Sequence, residues 1–121
     1  LRQRLPDGGA GLLTALGARF LDAAGTPVPP GGGGLAEVAR VDLSGLDPRL
    51  AGTRFVVACD VDNPLTGEHG AAAVFGPQKG AGADDVATLD ANLGRLVESL
   101  AAELGPVARE GAVRPGAGAA G

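Results

Sequence analysis

The sequence predicts an α/β fold, a mixed sheet flanked by helices. Two stretches of the 121 residues carry this prediction. Residues 53–61, TRFVVACDV, place apolar side chains on both faces of an alternating pattern, which is typical of a covered central strand. Residues 84–104 repeat apolar side chains at steps of three and four, which indicates a long amphipathic helix. A chain of this length suits one domain with a modest core.

The segment before residue 29 predicts one helix and two strands. Residues 7–17 read as a short helix that Asp7 caps and Gly17 ends. Residues 18–28, ARFLDAAGTPV, predict a strand, a tight turn at residues 23–25 and a second strand.

The next segment predicts mostly loop. Residues 29–34, PPGGGG, read as a hinge or an exposed loop. Residues 35–41, LAEVARV, predict about two helical turns. Residues 42–52 are irregular, with a turn at Asp47 and Pro48.

Two elements are predicted after the central strand. Residues 70–75, GAAAVF, fit either a second buried strand or a short helix, because periodicity cannot decide at that length. The long helix would begin with Asp84 as its N-cap and end at Gly105 and Pro106. Its apolar stripe comprises Val86, Leu89, Leu93, Leu96, Val97, Leu100 and Leu104.

Composition argues against several classes of function. The net charge is −4 and no basic stripe or row of aromatic residues is present, so nucleic acid is not an expected partner. One Cys allows neither an internal disulfide nor a Cys-based metal cluster. No apolar run is long enough to span a membrane, and no secretion signal is visible. We therefore expect a cytoplasmic protein.

An acidic motif follows the predicted central strand. Asp60, Asp62 and Asn63 come directly after its apolar residues. The carboxyl end of a central strand is where ligands bind in many α/β sheets. Two carboxylates and an amide there suit Mg²⁺, or a base for a substrate hydroxyl. The alternative is a turn leading into Pro64 whose acids are merely solvated.

A glycine-rich loop holds the chain's only Lys. FGPQKGAG places Gly76, Gly80 and Gly82 around Lys79, whereas the other nine basic residues are Arg. Glycines let backbone N–H groups approach an anion, and Lys adds a point charge. The spacing differs from that of a P-loop, and an ordinary polar loop is the alternative. A single Lys in an Arg-rich chain favours function, because the two side chains are not interchangeable.

Three further features carry weaker predictions. DGGAG at the head of the first helix is similar to an anion site at a helix N-terminus. His69 lies between Glu68 and Gly70 and is expected in a surface turn. Cys59 is expected to be a small core residue.

Four segments in this order resemble the type I glycerate kinases, a bacterial family that phosphorylates glycerate with ATP. They are DGGAGLLTALGARFLDAAG, DLSGLDPRLAG, ACDVDNPLTGEHGAAAVFGPQKGA and PGAGAAG. The resemblance runs from residue 7 to residue 121. It implies a two-domain α/β kinase, in which a flavodoxin-like domain is interrupted by a second α/β domain.

The resemblance also implies a domain layout. Residues 1–121 would be part of a glycerate kinase, mostly its inserted α/β domain, with a glycine-rich hinge or tail at residues 106–121. Residues 1–6 do not match the family, and the chain contains no Met. We therefore expect a segment of a longer polypeptide that lacks its flanking domain.

The family's motifs imply a candidate site, with ATP and Mg²⁺ as cofactors and glycerate as the substrate. Asp60, Asp62 and Lys79 are the expected catalytic residues, and the two Asp residues would also hold the metal. The residues expected to bind substrate or phosphate are Asp7, Gly8, Gly9, Asn63, Gly76, Gln78 and Gly80. The alternative is a non-catalytic truncated domain that binds anions weakly. In either case we expect the isolated chain to be inactive.

Overall fold

The computed structural model describes residues 6–119, which form helices around one small antiparallel sheet. The α/β class is confirmed, although the sheet has two antiparallel strands and is not mixed. Residues 1–5, most of the start that was predicted not to match the family, lie outside the described residues. Residues 120 and 121 of the predicted tail also lie outside them. The elements are α1 (Ala10–Ala15), β1 (Arg19–Leu21), β2 (Arg40–Asp42), α2 (Ala71–Phe75), α3 (Ala83–Leu104) and α4 (Val107–Ala112). Short 3₁₀ turns cover Gly34–Glu37, Pro48–Gly52 and Pro77–Lys79.

Helix α3 supplies the main surface of the core. Its stripe is confirmed, since Leu89, Leu93, Leu96, Val97 and Ala101 are buried. The N-cap of the helix is Gly82, so the prediction of Asp84 was wrong; the N–H of Gly82 donates to Asp85 Oδ2 in the first turn at 3.0 Å. Gly105 ends the helix as predicted, with a φ of 76° that favours glycine, and α4 then packs back against α3.

The amino-terminal half differs from the prediction in its strand pairing. β1 pairs with β2, and Phe20 lies opposite Val41. The predicted second strand at residues 26–28 is reduced to a single bridge between Leu21 and Pro27. Residues 35–41 were predicted to be helical, but they contain a 3₁₀ turn followed by β2. Pairing with the edge of β1 outweighs the weak helical pattern of this short segment.

The glycine-rich loop at residues 29–34 is anchored to α3. Asn92, a buried polar residue, donates from Nδ2 to the carbonyl oxygen of Gly32 at 3.0 Å. A Cβ on Gly32 would lie 2.0 Å from the carbonyl oxygen of Pro6, so a larger residue would clash with the backbone. Pro29 and Pro30 are exposed, as predicted, whereas Gly32 belongs to the packed interior.

The prediction of a central strand at residues 53–61 was wrong within the described residues. Residues 53–61 have no regular secondary structure, and Phe55, Val56 and Val57 are 60%, 80% and 75% exposed. Cys59 is exposed too, not a core residue. A strand with two apolar faces needs a paired neighbour and a covering layer, and the single sheet of residues 6–119 pairs only β1 with β2.

The ambiguous GAAAVF segment is helical. It forms α2, which packs against α3 and fully buries Ala71 and Ala72. Small side chains let the two helices approach closely, in a core with few aromatic residues.

The packing of α3 leads to a test of stability. Leu93 is fully buried, whereas Leu104 on the same helix is 52% exposed. We expect Leu93→Ala to lower the free energy of unfolding by about 2–5 kcal/mol, because it removes buried methyl groups and leaves a cavity. Leu104→Ala, the matched control, should stay within about 0.5 kcal/mol of the parent chain. Urea denaturation measures both, and equal losses would contradict the assigned core.

Candidate functional site

The acidic motif is anchored at its carboxyl side. The N–H of Leu65 donates to the carbonyl oxygen of Ala112 at 2.8 Å, and the side chain of Leu65 is buried. The Asn63 carbonyl oxygen accepts from the N–H of Gly118 at 2.8 Å. Asn63 Nδ2 also donates to the carbonyl oxygen of His69 at 2.9 Å, which places His69 in an exposed turn, as predicted. The loop is therefore fixed from Asn63 onward.

Asp60 and Asp62 are exposed, and they come just before this anchor. Their carboxylates are open to solvent and accessible to a ligand. Within residues 6–119, no group of three or more His, Cys, Asp or Glu side chains is arranged to hold a metal ion. The two carboxylates could thus supply only part of the coordination of a metal.

The carboxyl-terminal turn packs directly on the acidic motif. A Cβ on Gly118 would lie 2.5 Å from the carbonyl oxygen of Pro64 and 3.0 Å from that of Asn63. Gly116 has a φ of 88°, and a Cβ there would lie 2.8 Å from Cys59 Sγ. Neither glycine was predicted to belong to the site. Their spacing in PGAGAAG was the available signal, since alternating glycines often mark a close approach of two backbone segments.

The head of α1 already carries an anionic group of its own. Asp7 accepts from the N–H of Gly9 at 3.0 Å through Oδ1 and from that of Gly11 at 3.2 Å through Oδ2. The carbonyl oxygen of Asp7 accepts from the N–H of Ala10 at 3.1 Å. The N-cap of α1 is Gly9 and not Asp7 as predicted, although the Asp7 carboxylate accepts from two N–H groups at the head of the helix. The N–H groups of Gly9, Ala10 and Gly11 are therefore satisfied within the chain.

The turn at residues 7–9 packs on α3 and lies close to Leu65. Gly8 has a φ of 62°, and a Cβ there would lie 2.8 Å from Leu96 and 3.2 Å from Leu93. The same position is 3.8 Å from Leu65, which follows the acidic motif. The core of α3 thus holds this turn near Leu65, two residues after Asn63.

The third segment, around Lys79, closes on itself. Pro77–Lys79 is a 3₁₀ turn, and Gly80 follows with a φ of 94°. The N–H groups of Lys79 and Ala81 donate to the carbonyl oxygen of Gly76, and that of Gly80 donates to Pro77. These three N–H groups thus have partners in the turn, so a bound anion would meet mainly side chains here. Lys79 itself is half-buried.

The two shortest of the surface ion pairs among the described residues involve none of the predicted site residues. The Arg49 side chain donates to Asp47 and lowers the pKa of that carboxyl group. Arg109 on α4 donates to Glu98 on α3 and lowers the pKa of Glu98. Exposed pairs of this kind contribute little to stability, and we assign them no chemical role.

A cavity of about 360 Å³ lies between α1, β1 and the loop after β1. Its walls are mainly apolar, and none of the predicted site residues contributes to them. Because no predicted site residue lines this cavity, we do not identify it as the reaction centre.

Among the described residues, no helix has the length and apolar character needed to cross a membrane.

Comparison with known proteins identifies the relatives of this chain. The sequence model of the glycerate kinase family matches residues 5–121. Glycerate kinase of Bacillus subtilis is 53% identical over 115 residues, which are 95% of this chain and 29% of that protein. Glycerate 2-kinase of Escherichia coli K12 is 48% identical, with the same shares covered.

A solved structure agrees with these sequence matches. The crystal structure described as a glycerate kinase 2 from Salmonella typhimurium LT2 superposes with a TM-score of 0.88 and 50% identity. The match covers 95% of this chain and 30% of that one. The chain thus spans about 30% of the length of the relatives it matches.

The contact between Gly118 and the acidic motif can be tested by substitution. We expect Gly118→Ala to lower the free energy of unfolding by about 1–3 kcal/mol, because the added Cβ overlaps the carbonyl oxygen of Pro64. Gly111→Ala is the control, since a Cβ there meets nothing within 4 Å and the residue lies within α4. That change should be neutral or stabilising by about 0.5–1 kcal/mol. If urea denaturation shows Gly118→Ala to be as harmless as Gly111→Ala, the contact is not close.

Proposed function

This chain belongs to the glycerate kinase family, and from that premise we propose that it is part of an enzyme that transfers the γ-phosphoryl group of ATP to a hydroxyl of glycerate. The observation that carries the proposal is the family match over residues 5–121, which includes the acidic motif and the Lys79 loop together. The reaction would use cytoplasmic ATP and yield a phosphoglycerate.

Asp60 and Asp62 fit the chemistry of a magnesium site. Mg²⁺ in kinases is held by one or two carboxylates, together with substrate phosphates and water. Two exposed carboxylates next to an anchored loop match that donor set. Bound Mg²⁺ would offset the negative charge that develops on the phosphoryl oxygens. Alternatively, one of the two carboxylates accepts the proton of the attacking hydroxyl.

Lys79 would supply positive charge from its side chain. Phosphoryl transfer depends mainly on positioning the reactants and on neutralising charge on the transferred group. The backbone N–H groups of Lys79, Gly80 and Ala81 bond to carbonyl oxygens within the turn, so the contribution proposed for Lys79 comes from its side chain. It would pair with the glycerate carboxylate or with the phosphoryl group. Gln78, the preceding residue, would add a hydrogen bond to the substrate or phosphate, while Gly76 and Gly80 would shape the turn.

The geometry changes the role that we propose for residues 7–9. The Asp7 carboxylate occupies the N–H groups that an anion would need, and its charge would repel a phosphate. We assign Asp7, Gly8 and Gly9 to positioning, because the turn packs on α3 next to Leu65. Asn63 likewise positions the acidic motif through its bonds to His69 and Gly118.

The activity test compares the isolated chain with the full-length protein. Because the chain spans about 30% of its relatives, we expect no turnover from it with ATP, Mg²⁺ and glycerate in a coupled ADP assay. The full-length protein should phosphorylate glycerate. Turnover of about 1 s⁻¹ by the isolated chain, the low end for kinases, would overturn the expected inactivity. A folded full-length protein that fails to phosphorylate glycerate would overturn the proposed function.

Lys79 provides a sharper test of the mechanism. In the full-length protein, we expect both Lys79→Arg and Lys79→Ala to lower kcat/KM at least ~10²-fold, or about 2.7 kcal/mol of transition-state stabilisation. The planar guanidinium of Arg cannot replace a compact ammonium in a glycine-walled turn. Arg95→Ala, on the exposed face of α3, is the control and should leave kcat/KM unchanged. Circular dichroism checks folding, and a fully active Lys79→Arg enzyme would contradict this role.

A further inference from the structure

Asp90 is an acidic residue in the middle of α3 that has no oppositely charged neighbour along the helix. Asp is among the weaker helix formers, and a charge on a helix is stabilised by an opposite charge three or four residues away. The residues at these spacings are Val86, Ala87, Leu93 and Gly94, none of which is charged. A contact outside the helix therefore explains this carboxylate better than the stability of α3 does.

The carboxylate of Asp90 holds the loop that follows the acidic motif. The N–H of Gly67 donates to Asp90 Oδ1 at 2.8 Å, a bond between residues 23 positions apart. Asp90 is half-buried, and a hydrogen bond to an ionised acceptor is stronger than one between neutral groups. Gly67 has a φ of 97°, a conformation that favours glycine. The helix and the loop are thus joined by a specific polar contact.

The ends of this loop are fixed by the core. Leu65 is buried, and its carbonyl oxygen accepts from the N–H of Ala71, the first residue of α2, at 3.0 Å. The N–H of Gly70 donates to the carbonyl oxygen of Gly67 at 2.9 Å. Residues 65–71 therefore form a closed turn, and Asp90 binds this turn at Gly67.

The same turn carries the bond that orients Asn63. Asn63 Nδ2 donates to the carbonyl oxygen of His69, two residues after Gly67, at 2.9 Å. Asn63 directly follows Asp62 in the acidic motif, so the position of the turn determines where that motif ends. In an active site, a misplacement of about 1 Å can cost about 10²-fold in rate.

We propose that Asp90 is a positioning residue for phosphoryl transfer. By holding the turn at residues 65–71, it fixes the acidic motif that contains Asp60 and Asp62. The inference rests on the proposed function, because it assigns the acidic motif to that reaction. A residue that only stabilised the fold would change the amount of folded protein and leave its turnover unchanged. A positioning residue changes the turnover of the folded protein.

Kinetics of the full-length protein test this role. We expect Asp90→Ala to lower kcat at least ~10-fold and to change the KM for glycerate less than ~3-fold, because the acidic motif acts mainly in the transition state. Asp90→Asn keeps an oxygen that accepts from Gly67 and should restore kcat to within about threefold of the parent. Asp84→Ala removes the same charge from an exposed position of α3 and should leave kcat unchanged. Circular dichroism checks folding, and Asp90→Leu, similar in shape but without an acceptor, replaces Asp90→Ala if that variant does not fold.

Hydrogen–deuterium exchange separates this inference from the proposed function. In the full-length protein, we expect a peptide covering residues 61–69 to exchange at least ~10-fold faster in Asp90→Ala than in the parent, and at nearly the parental rate in Asp90→Asn. The exchange does not depend on kinase activity. If the parent is inactive on glycerate but exchange follows this pattern, the contact with the turn is upheld, and the proposed function falls together with the role in phosphoryl transfer.

Three results would overturn the proposal. One is a folded Asp90→Ala enzyme with the parental kcat. The second is a folded Asp90→Asn enzyme that loses as much kcat as Asp90→Ala, because the hydrogen bond to Gly67 would then not be the cause. The third is parental exchange of residues 61–69 in Asp90→Ala, which would mean that Asp90 does not hold the turn.

Discussion

The apolar stripe of α3 is the constraint on which the rest of the chain depends. Leu93 and Leu96 contact the turn at Gly8, and α2 and α4 pack on the same helix. The core has few aromatic residues to fill space, so it is closed by the near approach of small residues, above all Ala71 and Ala72. Segments distant in sequence are thereby fixed around one helix, including the turn at Gly8 and Leu65.

The features that depend on neighbouring residues along the chain were predicted correctly from the sequence. The stripe of α3 follows from spacing alone, and the Gly105 stop follows from the residue type at the helix end. Residues 35–41 were assigned wrongly because pairing with β1, which lies far away in sequence, outweighs a short helical pattern. Residues 53–61 have the composition of an inner strand but no partner strand among residues 6–119. Composition can indicate such a strand, but it cannot supply its neighbours.

The candidate site shows the same division between local and distant information. Asp60, Asp62 and Lys79 stood out in the sequence through residue type and position. The contact of Gly118 with Pro64 joins segments more than fifty residues apart, and only the fold reveals it. The fold also shows that backbone N–H groups near Gly9 and Gly80 have partners within the chain. We therefore assign the action on a phosphoryl group to side chains and not to these backbone groups.

The central claim is that the acidic motif and Lys79 serve one reaction centre. It is tested most directly by a crystal structure of the full-length protein with Mg²⁺, glycerate and a non-hydrolysable ATP analogue. The account predicts a carboxylate oxygen of Asp60 or Asp62 about 2.0–2.1 Å from Mg²⁺. It also predicts Lys79 Nζ about 2.7–2.9 Å from an oxygen of glycerate or the γ-phosphate. A structure with bound ligands in which Lys79 points away from them, across the domain from Asp60 and Asp62, would contradict the claim.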